Sequence, residues 1–128
     1  VINIEALTSL DMAKKDILPA VSAYVRELTD TALAKKSLSA AIPTDVEEEL
    51  VLKLSKLLSC FAKKIDALEA TLIKANEYED DIQSYASFYH DSVFAAMQEL
   101  RAVADEMEIN TASDYWPMPT YGDLLFSV

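Results

Sequence analysis

The side chain best suited to acid–base chemistry in this sequence is its single histidine, His90. A nucleophile–base relay would need His90 beside a serine and held in place by a carboxylate. Asp91 follows directly, but consecutive side chains on an α-helix point about 100° apart, so we expect no oriented pair between them. We therefore predict that the chain has no catalytic residue and that His90 is a partly exposed, hydrogen-bonded structural histidine.

The many carboxylates raise the question of a metal site. Helical bundles that hold two metal ions use a Glu-x-x-His pattern on two helices, whereas Ser87 stands three residues before the only histidine. An acidic cluster, Glu77, Glu79, Asp80 and Asp81, lacks the ligand spacing and the glycine of a calcium loop. We predict no metal ligand, and we interpret the cluster as a solvated acidic turn.

The composition excludes other kinds of site. A phosphate-binding loop needs several glycines, and the chain has only Gly122, so we predict no cofactor-binding residue. The net charge of −11 opposes binding to nucleic acid or to an anionic membrane surface, and no apolar run approaches the roughly 18 residues of a membrane span. The lone cysteine, Cys60, is interpreted as a buried, reduced core residue, which favours the cytoplasm.

Long helices must carry these residues, because Pro and Gly are sparse. Apolar residues recur at helical spacing from Ile17 through Val21 to Leu38 and predict a helix over about residues 4 to 40. Pro19 removes one backbone donor within that run. We expect either a kink at Pro19 or a short helix over residues 4 to 16 followed by a longer one.

A second helix is predicted over about residues 45 to 76. Thr44-Asp45-Val46-Glu47 has the pattern of a capping box, in which the Thr44 hydroxyl accepts from the amide of Glu47 and the Glu47 carboxylate reaches back. Leucines and Phe61 recur on one face of the segment that follows, while lysines mark the opposite, solvated face.

The polar residues 76 to 81 predict a turn, in which Asp80 or Asp81 caps a third helix over about residues 81 to 109. Its apolar face runs from Ile82 to Met107. Three such helices joined by short connections predict an all-α, antiparallel three-helix bundle over residues 1 to 113. A separate short N-terminal helix before Pro19 is the open alternative.

Residues 114 to 128, which we call the strap, have lost the helical spacing. The two prolines in Trp116-Pro-Met-Pro119 predict an extended backbone. Exposed together, the large apolar side chains of the strap would form an aggregation-prone patch, so we expect them to be covered. The candidate interface residues are Trp116, Tyr121, Leu124, Leu125 and Phe126. Periodicity leaves open whether they pack on the bundle or on another domain or subunit.

The sequence also resembles the carboxyl terminus of type III glutamine synthetases, the large bacterial form of the enzyme. The resemblance is carried by Trp116-Pro-Met-Pro-Thr-Tyr-Gly-Asp-Leu-Leu-Phe-Ser-Val128, by Ile4 to Thr8, by Met12 to Val21 and by Phe94 to Glu106. It runs essentially end to end, and its most specific part is the non-helical string at the strap.

The resemblance implies a parent enzyme that joins ammonia to the side-chain carboxylate of glutamate through a γ-glutamyl phosphate, using ATP and Mg²⁺ or Mn²⁺. In that family the ligands for glutamate, ATP and metal lie upstream of this region, so no catalytic position is carried over. The family assembles as a double-ring dodecamer. The expected partners are therefore the catalytic body of the same chain and neighbouring subunits, and the domain is expected to support stability or assembly.

Two functional readings stay open at this point. The chain begins with Val1 rather than Met and without a secretion signal, so we expect it to be part of a longer cytoplasmic polypeptide, a glutamate–ammonia ligase. The alternative is a free-standing cytoplasmic helical module that binds another protein.

Overall fold

The computed structural model describes residues 2–78 and 80–118. It contains three long helices, each turning back against the previous one, and no strand within the described residues. The predicted all-α, antiparallel three-helix bundle is therefore confirmed.

The first long helix consists of α1 (Ile2–Met12), a π-helical turn (Ala13–Ile17) and α2 (Leu18–Leu38). In the π-helical turn the amide of Leu18 donates to the carbonyl of Ala13, five residues back. Pro19 is the second residue of α2, and it has no backbone N–H to donate to the turn before it. The first long helix is thus one helical run with a change of helix type directly before Pro19, and the separate short helix over residues 4 to 16, the second of the two predicted outcomes, is not formed.

The second long helix is α3 (Asp45–Ala75). The predicted capping box is wrong in its hydrogen bonds, because no side chain caps this end of α3. The Thr44 hydroxyl instead donates to the Glu48 carboxylate, at 2.7 Å. Glu47 turns away to accept from the ammonium of Lys35, at 2.5 Å. A cation on the neighbouring helix therefore outcompetes the local backbone for Glu47.

The third long helix follows a short 3₁₀ turn (Asn76–Tyr78) and consists of α4 (Ile82–Phe88), a second π-helical turn (Tyr89–Val93) and α5 (Phe94–Asn110). Asp81 caps α4: its carboxylate accepts from the Ser84 amide at 3.2 Å and from the Ser84 hydroxyl at 2.7 Å. Aspartate accepts well from these free amides at a helix start, so the turn predicted here needs no glycine.

Ion pairs between the long helices show that neighbouring helices run antiparallel. Lys14 pairs with Glu69, and Lys35 with Glu47, so positions rise along the first helix as they fall along α3. Lys64 of α3 pairs with Glu99 of α5 at 2.9 Å. None of the helices described in residues 2–78 and 80–118 combines the length and the apolar character needed to cross a membrane.

One apolar core lies between the three helices. Its largest fully buried side chains are Phe61, Leu54, Leu68, Met107, Val21 and Val93. The largest of them, Phe61, sits midway along α3, where the first and third helices flank it. Burying each such side chain contributes roughly 1.5–3 kcal/mol, so this core is the main source of stability.

Two large apolar residues predicted on core faces, Leu38 and Ile82, are exposed instead. Leu38 is 82% exposed, because the third helix is too short to cover it. Glu99 lies level with Lys64, so Asn110, at the end of α5, lies level with about residue 53 of the antiparallel α3. This is short of residues 39–44, which join α2 to α3 and which we call the α2–α3 tip. Ile82 is 85% exposed, because the π-helical turn at Tyr89–Val93 shifts the helical phase between α4 and α5.

Cys60 is also less buried than predicted. The structure places it at an intermediate position, as a free thiol. It lies one residue before the fully buried Phe61 and one turn before Lys64, on the side of α3 that faces Glu99. A rotation of about 100° per residue therefore carries its side chain from the core to the edge of the bundle.

Candidate functional site

The strap turns back against the bundle as soon as α5 ends. Thr111, the residue directly after α5, has an extended backbone. The amides of Tyr115 and Trp116 then both donate to the carbonyl of Ala112, at 2.9 Å and 3.2 Å. This tight turn reverses the chain, so that the described part of the strap, residues 114–118, runs back along the helices.

Tyr115 fastens the strap to the first long helix. Its ring lies 5.1 Å from the ring of Tyr24, inclined at 46°, an arrangement that aromatic pairs favour. A hydrogen bond to the Glu27 carboxylate, aided by partial burial, raises the pKa of the Tyr115 hydroxyl. Tyr115 thus joins two neighbouring turns of α2 by one tilted ring contact and one charged hydrogen bond.

Trp116 and Met118 continue the strap onto the core. They line one wall of a groove of about 590 Å³, which we call the strap groove. Its other walls come from the first and third long helices, chiefly Ser9, Met12, Met97, Gln98, Arg101 and Ala104, and its floor reaches Phe61. Of the predicted interface residues, Trp116 therefore lies against this chain's own bundle. Tyr121, Leu124, Leu125 and Phe126 lie outside the described residues.

Sequence reasoning missed the helical residues of the strap groove. Met12 and Met97 have the ordinary spacing of helix faces. These residues line one groove only because the fold places the first and third helices side by side. The chain gives one signal of it in advance: the strap is rich in large apolar side chains that need a surface to cover.

The histidine contacts the carboxylate that follows it in the sequence. His90 Nδ1 lies 3.2 Å from Asp91 Oδ1, although an α-helical backbone was expected to hold these side chains apart. Both residues belong to the π-helical turn Tyr89–Val93, whose wider turn brings consecutive side chains closer in direction. The pair is highly exposed, at 86% and 72%, and no third group orients it toward a nucleophile in the described surroundings.

The same π-helical turn carries a buried phenol. Tyr89 is 2% exposed, and its ring lies 6.0 Å from the ring of Tyr85. Burial, with smaller contributions from Tyr85 and Glu5, raises the pKa of the Tyr89 hydroxyl to about 12. Such a phenol is neutral at physiological pH and serves as part of the core.

The predicted acidic turn contains Asp81, the residue that caps the start of α4. In the part of the chain that the structure describes, no three His, Cys, Asp or Glu side chains come together as metal ligands would. Asp81 is occupied by its hydrogen bonds from Ser84, which lower the pKa of its carboxyl. Glu79, a member of the predicted cluster, lies outside the described residues.

A partly buried ion pair lies near the α2–α3 tip. Glu47 is 8% exposed, and the hydrogen bond from Lys35 lowers the pKa of its carboxyl. One Glu47 oxygen, Oε1, has no hydrogen-bond partner among the described residues. Because a buried carboxylate needs such a cation to stay charged, this pair fixes how the two helices sit at the tip.

Two known proteins are similar to this chain over nearly its whole length. A glutamine synthetase of Butyrivibrio fibrisolvens is 34% identical to this chain over 127 residues, which are 99% of this chain and 18% of that relative. A glutamine synthetase of Bacteroides fragilis (strain YCH46) is 24% identical over 131 residues, again with 98% of this chain and 18% of the relative. No protein-family model matches the chain.

The similarity to glutamine synthetases, inferred above from short stretches, is therefore confirmed over nearly the whole chain. The chain spans less than a fifth of the length of these relatives.

Proposed function

We propose that this chain is the non-catalytic C-terminal helical domain of a type III glutamine synthetase, and that it supports the stability or the subunit assembly of that enzyme. The observation that carries the proposal is the extent of the similarity. It covers 99% of this chain but only 18% of the relative in Butyrivibrio fibrisolvens, as expected for one domain of a larger polypeptide.

The parent enzyme would make glutamine from glutamate, ammonia and ATP in the bacterial cytoplasm. ATP and Mg²⁺ or Mn²⁺ would be bound by residues outside this chain. The partners of the domain would be the catalytic body of the same polypeptide and neighbouring subunits of a homo-oligomer, a dodecamer if the family resemblance extends to assembly.

The architecture supports a structural role. The three helices share one core centred on Phe61, so the domain has a source of stability of its own. The strap holds to this core through Tyr115 and Trp116. A helical unit with its own core can stabilise a larger enzyme or its subunit contacts without taking part in the reaction.

The first test is the size of the native protein. An immunoblot of native cell extract, with an antibody raised against this segment, should give a band several times heavier than 14.2 kDa. A band at 14.2 kDa would instead establish the alternative, a free-standing interaction module.

The assembly role is tested in the parent enzyme. Deleting residues 114 to 128 should lower its melting temperature or reduce its assembly state, measured by light scattering after size exclusion. Ser113→Ala, at an exposed position just before the strap, is the control and should change neither. An unchanged mass and melting temperature in the deletion variant would contradict the assembly role.

The non-catalytic part of the proposal has its own test. Titrating the isolated 128-residue chain with ATP–Mg²⁺ and with glutamate in a calorimeter should give no saturable heat. Saturable binding of either ligand would place a substrate site in this domain.

A further inference from the structure

We propose that residues 119–128 bind in the strap groove of the same chain, with Leu124, Leu125 and Phe126 as the side chains that fill it. The groove is thus an intramolecular docking site, completed by the end of the strap. The inference concerns this chain alone, so it does not depend on the identity of the parent enzyme.

The first argument is where the described chain ends. Met118 lines the strap groove together with Trp116, and residues 119–128 are joined directly to it in the sequence. No other covering segment has to be brought there, and the entropy lost on docking is that of a short tether.

The second argument is the space that the described part of the strap leaves open. The groove still has a volume of about 590 Å³ beside Trp116 and Met118, which is large enough for several apolar side chains. Met12 and Met97 are only partly buried in its walls. Methionine side chains adapt readily to an apolar partner, so these walls suit leucine and phenylalanine.

The third argument is that the apolar surface continues beyond the groove. Phe94 is 53% exposed and lies three residues before Met97 and four before Gln98, on the same face of α5. From Glu108 to Phe94 the groove side of α5 measures about 21 Å at 1.5 Å per residue. Ten extended residues reach roughly 35 Å, so the segment can follow the whole face.

Charge also favours this occupant. Residues 119–128 carry a single charged side chain, Asp123, in a chain whose net charge is −11. Three charged residues line the groove, the cation Arg101 and the carboxylates Asp105 and Glu108, and its other lining residues are apolar or uncharged. An almost uncharged apolar segment therefore loses little hydration when it enters a mainly apolar groove.

Disulfide trapping in the 128-residue chain tests the proposal. Cys60→Ser removes the only native thiol, and Gln98→Cys with Leu125→Cys then places one thiol at the groove and one in the segment. Asp66→Cys with Leu125→Cys is the matched control, since Gln98 and Asp66 are both exposed but Asp66 lies outside the groove. The groove pair should form an intramolecular disulfide about tenfold faster than the control pair, because docking raises the local concentration of the two thiols.

Equal rates for the two pairs would overturn the proposal. A predominantly intermolecular disulfide, seen as a dimer on a non-reducing gel, would overturn it too, by assigning the groove to the segment of a second copy. Peptide mapping by mass spectrometry identifies the linked residues.

The single tryptophan gives a second readout that needs no cysteine. Trp116 borders the groove, so removal of residues 119–128 should shift its fluorescence to longer wavelength and increase its quenching by acrylamide. Identical emission and quenching in the full and shortened chains would show that the segment does not cover the groove.

Discussion

The rings of Tyr24 and Tyr115 lie 5.1 Å apart, across the junction between the first long helix and the strap. This contact joins a residue of α2 to a residue just beyond the end of α5, far apart in the sequence. It makes the strap a part of the fold and gives the most direct way to measure how firmly the strap is held.

The first prediction concerns that contact. In a double-mutant cycle of Tyr24→Leu and Tyr115→Leu, the two substitutions should together destabilise the chain less than the sum of their separate effects, because each removes the same ring contact. Urea unfolding of the four proteins measures the coupling. The pair Tyr24→Leu and Tyr78→Leu is the control and should be additive, since Tyr78 contacts Phe88 instead.

A second prediction tests the position of the core. Phe61→Ala should lower the free energy of unfolding by about 3–5 kcal/mol, because it leaves a cavity at a fully buried site. Ile73→Ala on the same helix removes a side chain that is 68% exposed and should cost about 0.5 kcal/mol or less. Equal losses in the two variants would mean that α3 faces the core differently. Phe61→Leu provides a milder change if the alanine variant does not fold.

The Glu47–Lys35 pair predicts a loss of stability in acid. The folded state lowers the pKa of Glu47 from its ordinary value of 4.5. The unfolded chain therefore takes up this proton first, and the stabilisation is fully present above pH 4.5 and is lost as the pH falls through the lower, folded pKa. Glu47→Gln should flatten this part of the stability–pH curve. Glu49→Gln, at an exposed position on the same turn, should leave the curve unchanged.

Tyr89 predicts a loss of stability in alkali. Its folded pKa of about 12 exceeds the ordinary value of 10.0, so the folded state holds the phenolic proton more tightly. Its contribution is present below pH 10 and falls by at most about 1.4 kcal/mol per pH unit between pH 10 and 12. Tyr89→Phe should reduce that slope. A constant loss caused by removal of the hydroxyl would lower the whole curve without changing the slope, so thermal unfolding at several pH values separates the two effects.

The parts of this fold that the sequence predicts are those set by nearby residues. Asp81 is recognisable as a helix cap because the cap and the amide that it binds are three residues apart. The face through Phe61, Leu68 and Leu72 is recognisable because a single helix determines its own period.

The predictions that failed depend on distant parts of the chain. Leu38 has the spacing of a core residue, and only the length of the third helix decides that nothing covers it. Glu47 has a good local partner, and only the arrival of Lys35 from α2 draws it away. The strap groove is the extreme case, since its walls come from both ends of the sequence.

The two π-helical turns carry a consequence for evolution. In each, an amide bonds five residues back, from Leu18 to Ala13 and from Phe94 to Tyr89, so each turn accommodates one residue more than a regular helix would. Such a turn is what a single-residue insertion leaves behind when the packing on both sides is preserved. We therefore expect relatives with an uninterrupted helix to align with this chain through a one-residue gap at 13–17 or at 89–93. Lineages could then be ordered by the presence of these two small insertions, even where their side chains have diverged.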